Sequence, residues 1–231
     1  VVDSEVFTRF AEAFHERAPD AGVIGPRQVP VSSGSYRATA IEGALGSPLG
    51  ATSRRYEDTE GEVDTINHGA YRVDVLSELE GMRTDLERAE DYELNRRIDE
   101  AGYRVYQYPE AKVYYQTRDT FSGLWSQSRG NARWKLRVLS ERDRLPTVIQ
   151  RMPSFATALV AAAALLSLPL GVVLCTTAVF LYLTILSVVS IQTVGQNDSL
   201  TWIHVPGVIA ALVTIHASWI RGGFDAVGAG A

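Results

Sequence analysis

The stretch MPSFATALVAAAALLSLPLGVVLCTTAVFLYLTILSVVSIQTVGQN, Met152 to Asn197, is 46 residues long and contains no Asp, Glu, Lys, Arg or His. A bilayer core of ~30 Å is crossed by roughly 20 helical residues, so a run of this length predicts two spans better than one. Pro169-Leu170-Gly171 is the natural break between them. A third apolar stretch runs from Trp202 to Ile220, bounded by Asp198 and Arg221. The rest of the 231-residue chain is of another kind: residues 1–152 hold 21 of the 22 Lys and Arg and 25 of the 27 Asp and Glu. The expectation is a polar domain over residues 1–151 and a membrane anchor over 152–231, with spans at about 153–169, 171–192 and 202–220.

Composition removes several function classes. Cys175 is the only cysteine, which excludes intramolecular disulfides and four-cysteine zinc sites. Residues 1–152 sum to −4, against a basic nucleic-acid binder. His15, His68, His204 and His216 are scattered without metal-ligand spacing, and no metal site is expected from them. Residues 120–151 carry seven basic and two acidic side chains just ahead of the first apolar run, which by the positive-inside rule makes that flank, and the polar domain, cytoplasmic.

Along the polar part, Ser4 is positioned to cap a helix carrying Val6, Phe7, Phe10 and Phe14 and ending near Pro19. Gly22–Pro26 reads as a strand, Ala38–Leu45 and Val73–Leu79 as short helices, and Val63–Tyr71 as strand then loop. A firmer helix is predicted from Asp91 to Ala101, with Leu94, Ile98 and Ala101 on one face and Gly102 ending it. Tyr103–Tyr108 and Lys112–Tyr115 alternate like strands, and Asp119 to Ser140 is helical. The alternation predicts an α/β layer.

Two clusters carry candidate chemistry. In Glu90-Asp91-Tyr92-Glu93-Leu94-Asn95 carboxylates sit at a helix start, where Asp91 can cap and Glu90 and Glu93 complement the dipole; equally, such carboxylates can serve as acid and base. On the later helix Gln127, Asn131 and Trp134 fall near one face with Arg133 beside Trp134, a face able to hold a diphosphate through Arg and a sugar through Trp. The same Arg129, Arg133, Lys135 and Arg137 also fit a headgroup contact, with Trp134 as an interface anchor.

The two clusters in this order, followed by membrane segments, resemble family 2 glycosyltransferases of the GT-A fold, in the membrane-anchored branch similar to succinoglycan-type polysaccharide transferases. Glu90–Asn95 resembles the branch's Glu-Asp-x-Glu-Leu-Asn element, and Gly61–Thr65 with Gly69-Ala70-Tyr71-Arg72 resembles its loop to the acceptor site. Gln127 through Arg133-Trp134-Lys135 resembles its Gln-x-x-Arg-Trp element, although Gly130 occupies the usual Gln position and Gln127 lies a turn earlier. His216-Ala217-Ser218-Trp219 resembles a tail element.

The resemblance implies an α/β chain formed by the C-terminal part of a GT-A domain followed by two or three transmembrane helices. It implies inverting transfer of a sugar from a nucleotide-diphosphate donor to a lipid-linked or polysaccharide acceptor, at the cytoplasmic face of the cell membrane. Asp91 would be the catalytic base, with Glu90, Gly69, Ala70 and Trp134 toward the acceptor and Arg133 and Gln127 toward the diphosphate. A divalent cation, Mg or Mn, is expected from the family, but its Asp-x-Asp motif does not occur in this sequence. The expectation is therefore a sequence that begins after the donor-binding part. The alternative is a non-catalytic membrane scaffold or regulator retaining part of a transferase fold.

Overall fold

A computed structural model of the protein describes residues 3–50, 56–141 and 169–228. Of the expected span at about 153–169, residues 153–168 lie outside the described residues.

The centre is a four-stranded mixed sheet in the order β2-β4-β1-β3, made of β1 (Ala21–Val31), β2 (Gly61–Glu62), β3 (Ala70–Tyr71) and β4 (Arg104–Gln116). The two long strands are parallel, and the two short ones add antiparallel at either edge. Strand alternation sends neighbours to opposite faces. Val23 and Val105 pack with Ile66, Val75, Leu94 and Ile98, whereas Ile24 and Tyr106 pack with Val6, Phe10 and Val113. The second of these clusters holds α1 (Val6–Glu12) on one face; the first holds α3 (Val73–Glu78) and α4 (Glu90–Glu100) on the other.

The pair of strands expected at Tyr103–Tyr108 and Lys112–Tyr115 is one strand, β4. The register jumps from Pro26↔Tyr108 to Arg27↔Lys112, so Pro109, Glu110 and Ala111 form the slack between two paired stretches. Proline has no N–H for the ladder, which places the irregularity where Pro26 and Pro109 fall.

Three helix ends differ from the sequence reading. Helix α1 has Glu5 at its N-cap without a side-chain bond, and Asp3 Oδ1, not Ser4, accepts the Glu5 N–H at 3.0 Å. It passes after Glu12 into a π-helical turn, Ala13–Arg17, and so ends two residues before Pro19, as expected. In α4 the N-cap is Ala89, in the left-handed region at φ 65°, so Asp91 is the second helical residue and not a cap. At the other end Ala101 is exposed, and Gly102 turns the chain with φ 88°.

Strand β1 runs into α2 (Tyr36–Gly46), capped by Ser35 Oγ accepting the Ala38 N–H at 3.3 Å, and β4 runs into α5 (Phe121–Ser140), capped by Thr120. Both helices therefore leave from the carboxyl ends of the parallel pair. They meet α6 (Pro169–Gln196) and α7 (Val205–Gly228) in a third apolar cluster that includes Ala40, Ile41, Ala44, Leu124, Leu186, Val208, Leu212 and Ile215. A single 3-10 turn, Trp202–His204, precedes α7.

Among the described residues two helices are long and apolar enough to cross a membrane: Gly171–Gln196 with mean hydropathy 2.4 and Trp202–Ala226 with 1.6. They differ in surroundings. Only 6% of the most apolar stretch of the first is buried, against 33% of the second.

Candidate active site

Helix α4 presents Asp91 and Asn95 one turn apart, on the side facing the loop between β2 and β3. Asn67 Nδ2 donates to Asp91 Oδ2 at 3.2 Å. One turn on, the fully buried Asn95 amide donates to Ile66 O at 2.7 Å and Thr65 Oγ1 at 3.1 Å, while its Oδ1 accepts from Tyr71 Oη at 3.4 Å. The loop over Thr65–His68 is thus held along α4 by two side chains at i and i+4, which share a helix face.

The loop needs this help. His68 sits in the left-handed region at φ 59°, where a non-glycine residue is strained. Its ring Nδ1 accepts from Gln28 Nε2 at 3.1 Å, tying the loop to the carboxyl half of β1. Gly69 is required by close approach: a Cβ there would stand 2.3 Å from Ile66 Cδ1 and 2.9 Å from Val23 Cγ2. Ala70 follows in β3, paired with Ile24.

Burial is the largest influence on Asp91 and raises its proton affinity above the ordinary aspartate value. The Asn67 bond opposes that shift and the neighbouring Glu90 carboxylate adds to it. Tyr71 lies in the same pocket of charge: burial first, then Asp91 and Glu90, push its phenol well above its usual range. Glu93 faces away into the protein and pairs with Arg97 at 2.8 Å, whose guanidinium also donates to the carbonyls of Leu79 and Gly81.

The second cluster meets the first through α5. Arg88, just before α4, donates from Nη1 to Asn131 Oδ1 at 3.3 Å, and Lys135 Nζ lies 4.5 Å from the Tyr92 ring centre. Gly130, at the position where the resemblance calls for Gln, faces the Arg88 side chain: a Cβ would meet Arg88 Nε at 3.2 Å. Gln127 is drawn elsewhere, donating to Tyr115 Oη and accepting from Arg118 Nε at 3.2 Å.

Arg133 and Trp134 adjoin each other, with Arg133 Cζ 6.0 Å and Arg137 Cζ 5.0 Å from the Trp134 ring centre. Arg133 is exposed and Trp134 half-buried. Among the described residues no hydrogen bond or ion pair joins either of them to Asp91 or Glu90. The structure therefore sets Asp91 and Glu90 beside the loop that leads into Gly69, with Ala70 packed toward the α1 side of the sheet; Arg133 and Trp134 lie on α5 between Asn131 and Lys135, and Gln127 lies a turn before Asn131.

Asn67, His68, Tyr71 and Gln28 were not singled out as site residues by the sequence. For Asn67, His68 and Tyr71 the only sequence signal is position, inside the loop that the resemblance assigns to the acceptor; Gln28, in β1, had none.

The described residues do not fit a divalent cation: among them no three His, Cys, Asp or Glu side chains converge. Asp91 is already engaged by the Asn67 amide. What the arrangement offers chemically is a half-buried carboxylate of raised proton affinity beside a strained loop. It lies at the end of the sheet where open α/β folds bind ligands. No family model matches the chain, and no curated protein matches it.

Proposed function

We propose that the chain carries the acceptor side of an inverting glycosyltransferase held at the cytoplasmic face of a membrane. The observation that carries the reading is Asp91: burial raises its proton affinity, and Glu90 and the loop through Asn67 and His68 that leads into Gly69 and Ala70 flank it. The resemblance supplies the reaction class, and the donor is a nucleotide-diphosphate sugar.

In this reading an acceptor hydroxyl lies against Asp91. Its proton passes to the carboxylate as its oxygen bonds to the anomeric carbon, and the bond from that carbon to the diphosphate breaks with the electron pair leaving on the diphosphate. A general base with raised proton affinity suits that concerted transfer. Glu90 and Trp134 orient the acceptor. Arg133, with Gln127, meets the negative charge that grows on the leaving group, where a preformed cation lowers the barrier. Anchoring through α6 suits a lipid-linked acceptor.

One observation favours a second reading, that of a non-catalytic scaffold. Asp91 and Asn95, on the side of α4 toward the loop, already serve it, Asp91 through Asn67 and Asn95 through Thr65 and Ile66. Such a pair would be needed for folding alone.

The experiment is to supply membranes bearing the product of the whole reading frame with nucleotide-diphosphate hexoses and determine the anomeric configuration of any glycolipid formed. Inverted product supports the enzyme reading. Retained configuration, or no transfer from any donor, refutes it.

A further inference from the structure

The polar domain grips α7 near both of its ends. Near its start, Gly207 lies against α2, where a Cβ would stand 2.7 Å from Ala40 Cβ and 3.1 Å from Tyr36 Oη. Tyr36 Oη also donates to Ile203 O at 3.0 Å, and its ring stacks on His204 with centres 5.1 Å apart. Near its end, Gly222 lies against α5, where a Cβ would stand 2.3 Å from Arg129 O and 2.8 Å from Ala132 Cβ. Arg129 also pairs with Asp225. Gly207 and Gly222 are only about 22 Å apart along a helix, less than the ~30 Å of a bilayer core. Helices α2 and α5 issue from the two parallel strands of one sheet, so both ends of α7 belong to the same side of any membrane.

The opposite face of α7 is apolar and bare. Pro206, Ala210, Val213 and Phe224 recur on it at helical spacing and are exposed. Trp202 and Ile203, 67% and 70% exposed, extend it at the start. Beside it the exposed stripe of α5 carries Arg129, Arg133 and Arg137 at i, i+4 and i+8, and Arg221 adds a further exposed cation on α7; Arg129 and Arg221 share Asp225, and Arg137 pairs with Glu141. An apolar face bordered by arginines matches the boundary between acyl chains and anionic headgroups. The apolar surface of α6 is bare from Val172 to Ile191 on most sides.

We propose that α7, although long enough to cross a membrane, does not cross: it lies along the cytoplasmic monolayer with its outer face among the acyl chains and the exposed cations Arg129, Arg137 and Arg221 at headgroup phosphates. Its end near Ala226 then stays on the side of the polar domain. The inference rests on the membrane part of the reading above and not on its chemistry.

The test places single nitroxides at Ala210, Val213, Ala217 and Phe224 in a Cys175→Ser background, in nanodiscs of mixed phosphatidylglycerol and phosphatidylcholine, and reads immersion depth from oxygen and nickel accessibility. The positions are on or beside the bare face, so the labels do not disturb the core. A helix lying in the monolayer gives four depths agreeing within about 5 Å, whereas a crossing helix spreads Ala210 and Phe224 by about 21 Å. In intact cells, Glu57→Cys and Ala226→Cys should respond alike to an impermeant maleimide. A graded depth or opposite labelling overturns the proposal. So does exclusion of all four probes from both lipid and water, which would assign the face to another protein. Release of the chain by carbonate washing defeats the membrane reading itself, and the inference with it.

Discussion

Asn67 Nδ2 donates to Asp91 Oδ2 across 3.2 Å, joining a strained loop to the carboxylate most suited to act as a base. The same bond can be read as a clamp that folds the loop or as a tether that aims the base, and these two roles respond differently to substitution.

Asn95 is the cleaner structural anchor. Asn95→Ala strips the donors from Ile66 O and Thr65 Oγ1 and the acceptor from Tyr71. Leaving buried polar groups unpaired costs about 1–3 kcal/mol. The variant is expected to melt earlier and to be cut faster within residues 61–69 by limited proteolysis. Wild-type protection would mean that the loop is held by something other than α4.

Asp91 makes a pH-dependent contribution of definite sign. Its proton affinity is raised on folding, so protonated Asp91 favours the folded state. That contribution is fully present below the ordinary aspartate value of 3.8 and is lost as pH rises through the raised value. The stability of Asp91→Asn relative to wild type should therefore improve as pH increases across that window. Thermal melts of the two proteins over acidic pH read it, and a pH-independent difference would contradict the burial effect. Transfer should likewise fall on the acid side at a pH above that of an ordinary carboxylate, since the base must be unprotonated.

Arg133→Lys separates a diphosphate grip from a headgroup contact. Lysine keeps the charge but loses the planar fork. Charge-assisted hydrogen bonds are worth about 1.5–3 kcal/mol, so losing one slows transfer by roughly ten- to a hundred-fold. Turnover normalised to membrane-inserted protein is the measurement. An unchanged rate would return Arg133 to the lipid-facing stripe it shares with Arg129 and Arg137.

The apolar run and the strands were legible because their signal is local: the sheet is covered on both faces, so Val23-Ile24 and Val105-Tyr106 are apolar at consecutive positions, and residues 152–197 carry no charged side chain. The start of α4 was misread because Asp is a favoured N-cap, whereas the cap is Ala89, which carries no capping group. The departure at Gly130 was visible, but its neighbour Arg88 lies 42 residues away in the chain and no spacing rule points to it. Likewise the loop residues that hold Asp91 and Asn95 are 24 to 30 positions distant, a pairing that exists only after the sheet has formed.

The central claim is that Asp91 takes the acceptor proton, and the most direct measurement compares Asp91→Asn with Asn67→Ala for transfer from a nucleotide-diphosphate donor, both scaled to folded, membrane-bound protein. Asn67→Ala removes the clamp and spares the base. The account predicts that Asp91→Asn abolishes transfer while donor binding persists, and that Asn67→Ala retains transfer within about ten-fold, the cost of one lost hydrogen bond. Near-normal turnover in Asp91→Asn, or an equal loss in both variants, would contradict it and leave Asp91 a clamp.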